Sequence, residues 1–154
     1  MTIAVAEVPE NYRGELQAEA LCALTAFVLR QLYVDPLSEV AITFVDEAEM
    51  EQLHLDWMQL PGATDVMSFP MDELRPGTAE HLAGPGMLGD VVVCLPVAAA
   101  QAEAAGHPLQ AEVQLLVTHS LLHLLGYDHD NPLAEAEMFG LQRQLLADYA
   151  AEGM

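Results

Sequence analysis

The chain has 154 residues, 53% of them hydrophobic, and sets 24 acidic side chains against four arginines and no lysine, a net charge of −20. That length and apolar content suit one globular domain with a sizeable core and exclude a disordered chain. The charge argues against partners held through phosphate backbones, because that affinity comes chiefly from Lys and Arg releasing counterions.

The N-terminal residues carry no basic segment ahead of an apolar core, so no secretory leader is expected. The apolar stretch Leu21 to Leu29 is far shorter than the ~18 residues a membrane span needs, so no membrane partner is expected. Cys22 and Cys94 share no CxxC spacing and read as buried free thiols of a cytoplasmic protein.

In chain order, Thr2 to Val8 alternates like a strand, and Tyr12 to Leu32 has apolar residues at helical spacing. Glu39 to Val45 reads as a second strand. Asp46 follows as an N-cap, with Glu49 at the capping-box position of a helix that ends near Met58, before Leu60-Pro61-Gly62. Asp65 to Phe69 and Leu88 to Leu95 are two further strands, the second a continuous apolar run suited to a sheet interior. Between them, Pro70 to Met87 is a Gly/Pro-rich loop, long enough to imply a functional or mobile segment. Pro96 and Pro108 each suit a first helical turn, with Gly106 as the stop between them. Asn131-Pro132 caps a last amphipathic helix to about Ala150. The sum is one α+β domain over residues 1–154, with four strands and about five helices.

The helix over Pro108 to Leu125 delivers the stretch Thr118 to Asp130, which holds three of the six histidines. Positions i and i+4 lie about 6 Å apart along a helix and on nearly one face, so His119 and His123 can converge on one metal ion. Gly126 supplies a left-handed turn, after which His129 can approach the same point. Three neutral nitrogen ligands with an open fourth position describe a catalytic zinc site. The spacing H-x3-H-x5-H also marks metzincin proteases, but those place a glutamate directly after the first histidine as general base. Here that position is Ser120, so protease chemistry lacks its base. Asp128, beside the third histidine, is a candidate to orient an imidazole, or else a turn residue. Asp90, after Gly89 at the start of a strand, is a candidate for positioning a ligand or touching substrate. Tyr127 reads as packed, and His54, His81 and His107 have no partners at ligand spacing, although His107 is placed to cap the helix that Pro108 starts.

The string His119 to His129, HSLLHLLGYDH, resembles the H-G-x-L-H-L-x-G-Y-D-H signature of the bacterial YbeY proteins. TDVMSFP, Thr64 to Pro70, and LGDVVVC, Leu88 to Cys94, resemble two further motifs of that family, in the same order. The resemblance covers most of the chain. It implies a metal-dependent endoribonuclease specific for single strands, acting in maturation of ribosomal RNA, notably at the 3′ end of the small-subunit RNA, and in ribosome quality control. It further implies one zinc ion on His119, His123 and His129, and a small mixed four-stranded sheet with a metalloprotease-like zinc helix. Two departures stand out. Ser120 replaces a common glycine, and Met58 stands where many members carry an arginine thought to help bind or activate RNA, leaving Arg75 or Arg30 as substitutes. The acidic body suits an approach to the small ribosomal subunit through basic ribosomal proteins. A non-catalytic, zinc-containing ribosome-assembly factor and another metal-dependent hydrolase are the alternatives.

Overall fold

The computed structural model describes residues 1–152; Gly153 and Met154, the last two residues of the expected domain, lie outside the described residues. Among the described residues there are four strands, β1 (Thr2–Val5), β2 (Glu39–Val45), β3 (Val66–Pro70) and β4 (Met87–Cys94). Five α-helices accompany them: α1 (Ala18–Gln31), α2 (Glu47–Met58), α3 (Leu95–Ala105), α4 (Leu109–Leu124) and α5 (Pro132–Glu152). The sheet order is β1-β2-β4-β3, with β1, β2 and β4 parallel and β3 antiparallel at one edge. The expected α+β class with a small mixed sheet is what the chain adopts.

β4 shows why a strand can be apolar without alternation. Val91 and Val93 join a large core cluster with Leu21, Leu24, Val28, Val117 and Leu121, whereas Val92 and Cys94 join a smaller one with Met50 and Met67. Both faces are covered, so both sets of side chains must be apolar. α4 lies at the centre of the larger cluster and is buried around most of its circumference. Its half-open side runs along Ala111, Leu115, His119 and His123, four residues apart in each step, with Gln110 and Gln114 beside it in the first two turns. Truncating a buried member such as Leu121 to Ala should cost about 2–5 kcal/mol, because its neighbours cannot close the cavity.

Local signals behave largely as their chemistry demands. Asp46 Oδ1 accepts the Glu49 N–H at 2.8 Å, and Glu49 Oε1 accepts the Asp46 N–H at 3.2 Å, completing the capping box. Asn131 Oδ1 accepts the Ala134 N–H at 2.9 Å and caps α5. Pro96 lies in the first turn of α3, and Gly106 ends it with φ 73°, but Pro108 sits just before α4.

Several expectations need correction. The Tyr12 to Leu32 helix is broken: a short 3-10 turn spans Glu10–Tyr12, and α1 begins only after Gln17, whose backbone is extended. β1 ends at Val5 rather than Val8, although the Ala6 N–H still bonds the Ile42 carbonyl. Cys22 is half-buried, while Cys94 is fully buried, and both are free thiols. Finally, the Pro70 to Met87 segment is tied down. Ala83 exchanges backbone hydrogen bonds with Tyr33 and Asp35, and the Gly77 N–H bonds the Leu32 carbonyl, so the segment is fastened to the end of α1.

Candidate metal centre

His119 and His123 project from the half-open side of α4. Gly126, at φ 95°, turns the chain back after the helix, and a Cβ there would strike the Arg75 guanidinium at 2.5 Å. The turn brings His129 to the pair. One nitrogen from each of the three rings lies within 4.8 Å of the others, the geometry of a group able to hold one metal ion. Ring centroids are 4.6 Å apart for His119 and His123, 5.2 Å for His123 and His129, and 5.8 Å for His119 and His129.

The donor chemistry of two of these rings is set by their neighbours. His123 Nδ1 lies 3.0 Å from the Tyr127 carbonyl, which only accepts, so Nδ1 carries the proton. His119 Nδ1 lies 2.8 Å from Gln142 Oε1 and donates to it in the same way. In the neutral rings both Nε2 atoms then present lone pairs, and they face each other across 3.1 Å. Two facing lone pairs repel unless a cation lies between them, so this arrangement fits a metal ion. Burial, followed by the neighbouring His119 ring, lowers the His123 pKa from its ordinary value; the Tyr127 bond opposes the shift. The neutral, ligating form is thereby favoured.

The histidines open into a cleft of about 560 Å³ walled by His54, Met58, Thr64, Asp65, Val66, Met67, Ser68, Pro70 and Asp128. β3 forms one side. Ser120 is fully buried and aims at that strand, its Oγ 2.5 Å from Ser68 Oγ, so it ties α4 to β3 rather than facing the cleft. Asp128 lines the cleft and uses Oδ1 to accept the His129 N–H at 2.7 Å, the contact of a turn residue. Tyr127 is half-buried against the core, and burial raises its phenol pKa. Met58 stands at the cleft mouth, 58% exposed.

Asp90 is elsewhere. Ser68 faces α4, and side chains alternate along a strand, so Phe69 and its register partner Asp90 face the α2 side of the sheet. Asp90 lines a separate groove there with Trp57, Met58 and Met67. His107 does not cap α4 through its ring, which instead meets Glu112 Oε1 at 2.6 Å.

Sequence reasoning missed Gln142 and Phe139, both on α5. Phe139 stacks on His119 and His129, with centroids 5.5 and 6.1 Å away. Their three-residue spacing places them on one helix face, a signal present in the sequence but without a stated target. His54 was also passed over; its Nδ1 donates to the Gly62 carbonyl at 3.0 Å while the ring lines the cleft. None of the four arginines lines the cleft, and Arg13 is paired with Glu7 at 2.8 Å. Arg75 packs over Gly126 beside Tyr127 and Asp128, and Arg143 flanks Phe139.

Comparison with known proteins agrees with this architecture. A solution structure of TM1509 from Thermotoga maritima superposes with a TM-score of 0.62 at 21% identity, covering 98% of this chain and 93% of that one, and so shares the fold. Endoribonuclease YbeY of Renibacterium salmoninarum is 55% identical over 143 residues, covering 93% of this chain and 91% of the relative. Endoribonuclease YbeY of Thermobifida fusca is 55% identical over 131 residues, covering 85% and 84%. The sequence model of the family described as endoribonuclease YbeY matches residues 7–150. With the match running through both α4 and the cleft, the chain belongs to the endoribonuclease YbeY family.

Proposed function

We propose that this member of the endoribonuclease YbeY family is a single hydrolase domain that holds one zinc ion on His119, His123 and His129 and cuts single-stranded ribosomal RNA. The observation that carries the reading is the facing pair of Nε2 atoms 3.1 Å apart, with the third imidazole beside them, in the cleft of a chain from a ribonuclease family. All-imidazole donors with no thiolate suit zinc and leave room for substrate. A zinc ion bound there supplies Lewis acidity for phosphodiester hydrolysis.

The chain's own groups do the rest. Gln142 and the Tyr127 carbonyl hold the two helix imidazoles in the Nδ1–H tautomer, which points their lone pairs together. Phe139 limits the tilt of His119 and His129 by stacking. Arg75 and Arg143, near the third ligand's turn and beside Phe139, offer positive charge to phosphate, a task Met58 cannot perform. Asp65 and Asp128 in the cleft wall each accept one backbone N–H, from Val66 at 2.8 Å and from His129 at 2.7 Å, and with His54 they are the wall groups able to move a proton.

The setting we propose is the small ribosomal subunit in the cytoplasm, at the 3′ end of its RNA, with basic ribosomal proteins drawn to the −20 surface. Among the described residues, no helix is long and apolar enough to cross a membrane. The test is zinc-loaded protein on single-stranded ribosomal RNA fragments, beside a His119→Ala/His123→Ala variant. The wild type is expected to cut and the variant not to; equal cutting by both would overturn the reading.

A further inference from the structure

The second groove, on the α2 side of β3, has no part in the metal centre. Its wall is Trp57, the chain's sole tryptophan, 67% exposed. The indole is braced by Phe69, edge-on at 5.6 Å and 77°, so its position is set although its surface is open. Met58 and Met71, both more than half exposed, flank it, and Met67 and Val92 make an apolar floor. Asp90, held opposite Phe69 by strand register, adds one carboxylate to that floor. The groove adjoins the histidine cleft across β3: Met58, Met67, Ser68 and Pro70 line both.

We infer that this groove is a nucleobase subsite for the RNA strand cut in the adjoining cleft, with Trp57 as the stacking surface; the inference rests on the endoribonuclease reading above. Three observations select a base over other occupants. A carboxylate in the floor repels phosphate, yet accepts the amino or imino N–H of a base edge. A chain with four arginines, no lysine and a net charge of −20 gains little from phosphate contacts, so neutral stacking must supply much of its affinity for a single strand. Adjacency to the cleft lets one strand reach both sites by passing over β3 at the sheet edge. The base must be unpaired to leave its stack and enter, which would give the enzyme a physical preference for single strands.

The single tryptophan makes the test direct. Zinc-loaded wild-type protein is titrated with a short single-stranded oligoribonucleotide, the same strand as a duplex, an abasic strand of equal charge, and an extended apolar peptide, while indole fluorescence is followed. Cleavage kinetics are measured in parallel for the wild type, Trp57→Ala and Trp57→Phe. Quenching by the single strand alone is expected. So is a KM about tenfold higher for Trp57→Ala with kcat little changed, and partial retention in Trp57→Phe. Unchanged fluorescence and an unchanged KM, with wild-type cleavage intact, would overturn the subsite and leave the nuclease reading standing. Quenching by the single strand without any cleavage would uphold the subsite and remove the nuclease reading. Quenching by the peptide and not by RNA would overturn it in favour of a protein-docking face.

Discussion

The histidine cleft and the Trp57 groove lie on opposite sides of one edge strand, β3, and are built in opposite ways. Two of the three cleft histidines stand on α4, a helix locked into the main core, and their second nitrogens are fixed by Gln142 and Tyr127. The groove depends on α2, which buries only Met50 and leaves Leu55, Trp57 and Met58 in solvent. Metal ligation requires atoms placed to a fraction of an ångström, so its ligands need a rigid element. Stacking tolerates lateral play, so an aromatic side chain on a lightly anchored helix suffices. On the proposed reading, the domain places its chemistry on a core helix and its substrate contacts on a surface one.

That contrast can be broken from either side. The largest effect is expected from His123→Ala, which should abolish zinc retention and cleavage while leaving Trp57 quenching by single-stranded RNA in place; metal analysis and fluorescence on one preparation check both. Next, Gln142→Leu removes the acceptor from His119 Nδ1. It should lower zinc affinity about 10–100-fold, read by chelator competition, with Gln142→Glu restoring most of it because a carboxylate accepts the same proton. Gly126→Ala should be smaller again. Its φ of 95° and the clash with Arg75 should cost about 1–3 kcal/mol, seen as a lowered Tm, and should displace His129 without touching the groove. The smallest effect is expected from Ser120→Ala, which cuts the hydroxyl contact joining α4 to β3. About 1 kcal/mol of stability should go, and because β3 walls both sites, a modest rise in KM should accompany it.

How far these features were legible depends on how local their causes are. The three histidines span eleven residues, and one helix plus one glycine turn brings them together, so their convergence was legible from spacing alone. The capping box of α2 and the asparagine cap of α5 were legible for the same reason: donor and acceptor lie three residues apart. Contacts made across the fold were not. Gln142 and Phe139 meet the histidines only because α5 packs on α4, a choice made by side-chain fit between helices. Asp90, at the start of a strand after Gly89, was a candidate for positioning a ligand or touching substrate, and its side of the sheet could not be read from the sequence. Strand parity turns it to the other face, and parity matters only once register with β3 is fixed. The start of α1 was misplaced because apolar spacing continues through Leu16, which is buried though it lies outside the helix. The Pro70 to Met87 segment reads as free loop because backbone hydrogen bonds to Tyr33 and Asp35 leave no trace in side-chain pattern.

The central claim is that one zinc ion sits on these three imidazoles. Zinc K-edge absorption spectroscopy on the purified protein tests it most directly. The account predicts one zinc per chain with three nitrogen ligands near ~2.0–2.1 Å and no sulfur. A shell with sulfur near ~2.3 Å, drawn from Cys22 or Cys94, or an unchanged spectrum in the His119→Ala/His123→Ala variant, would contradict it.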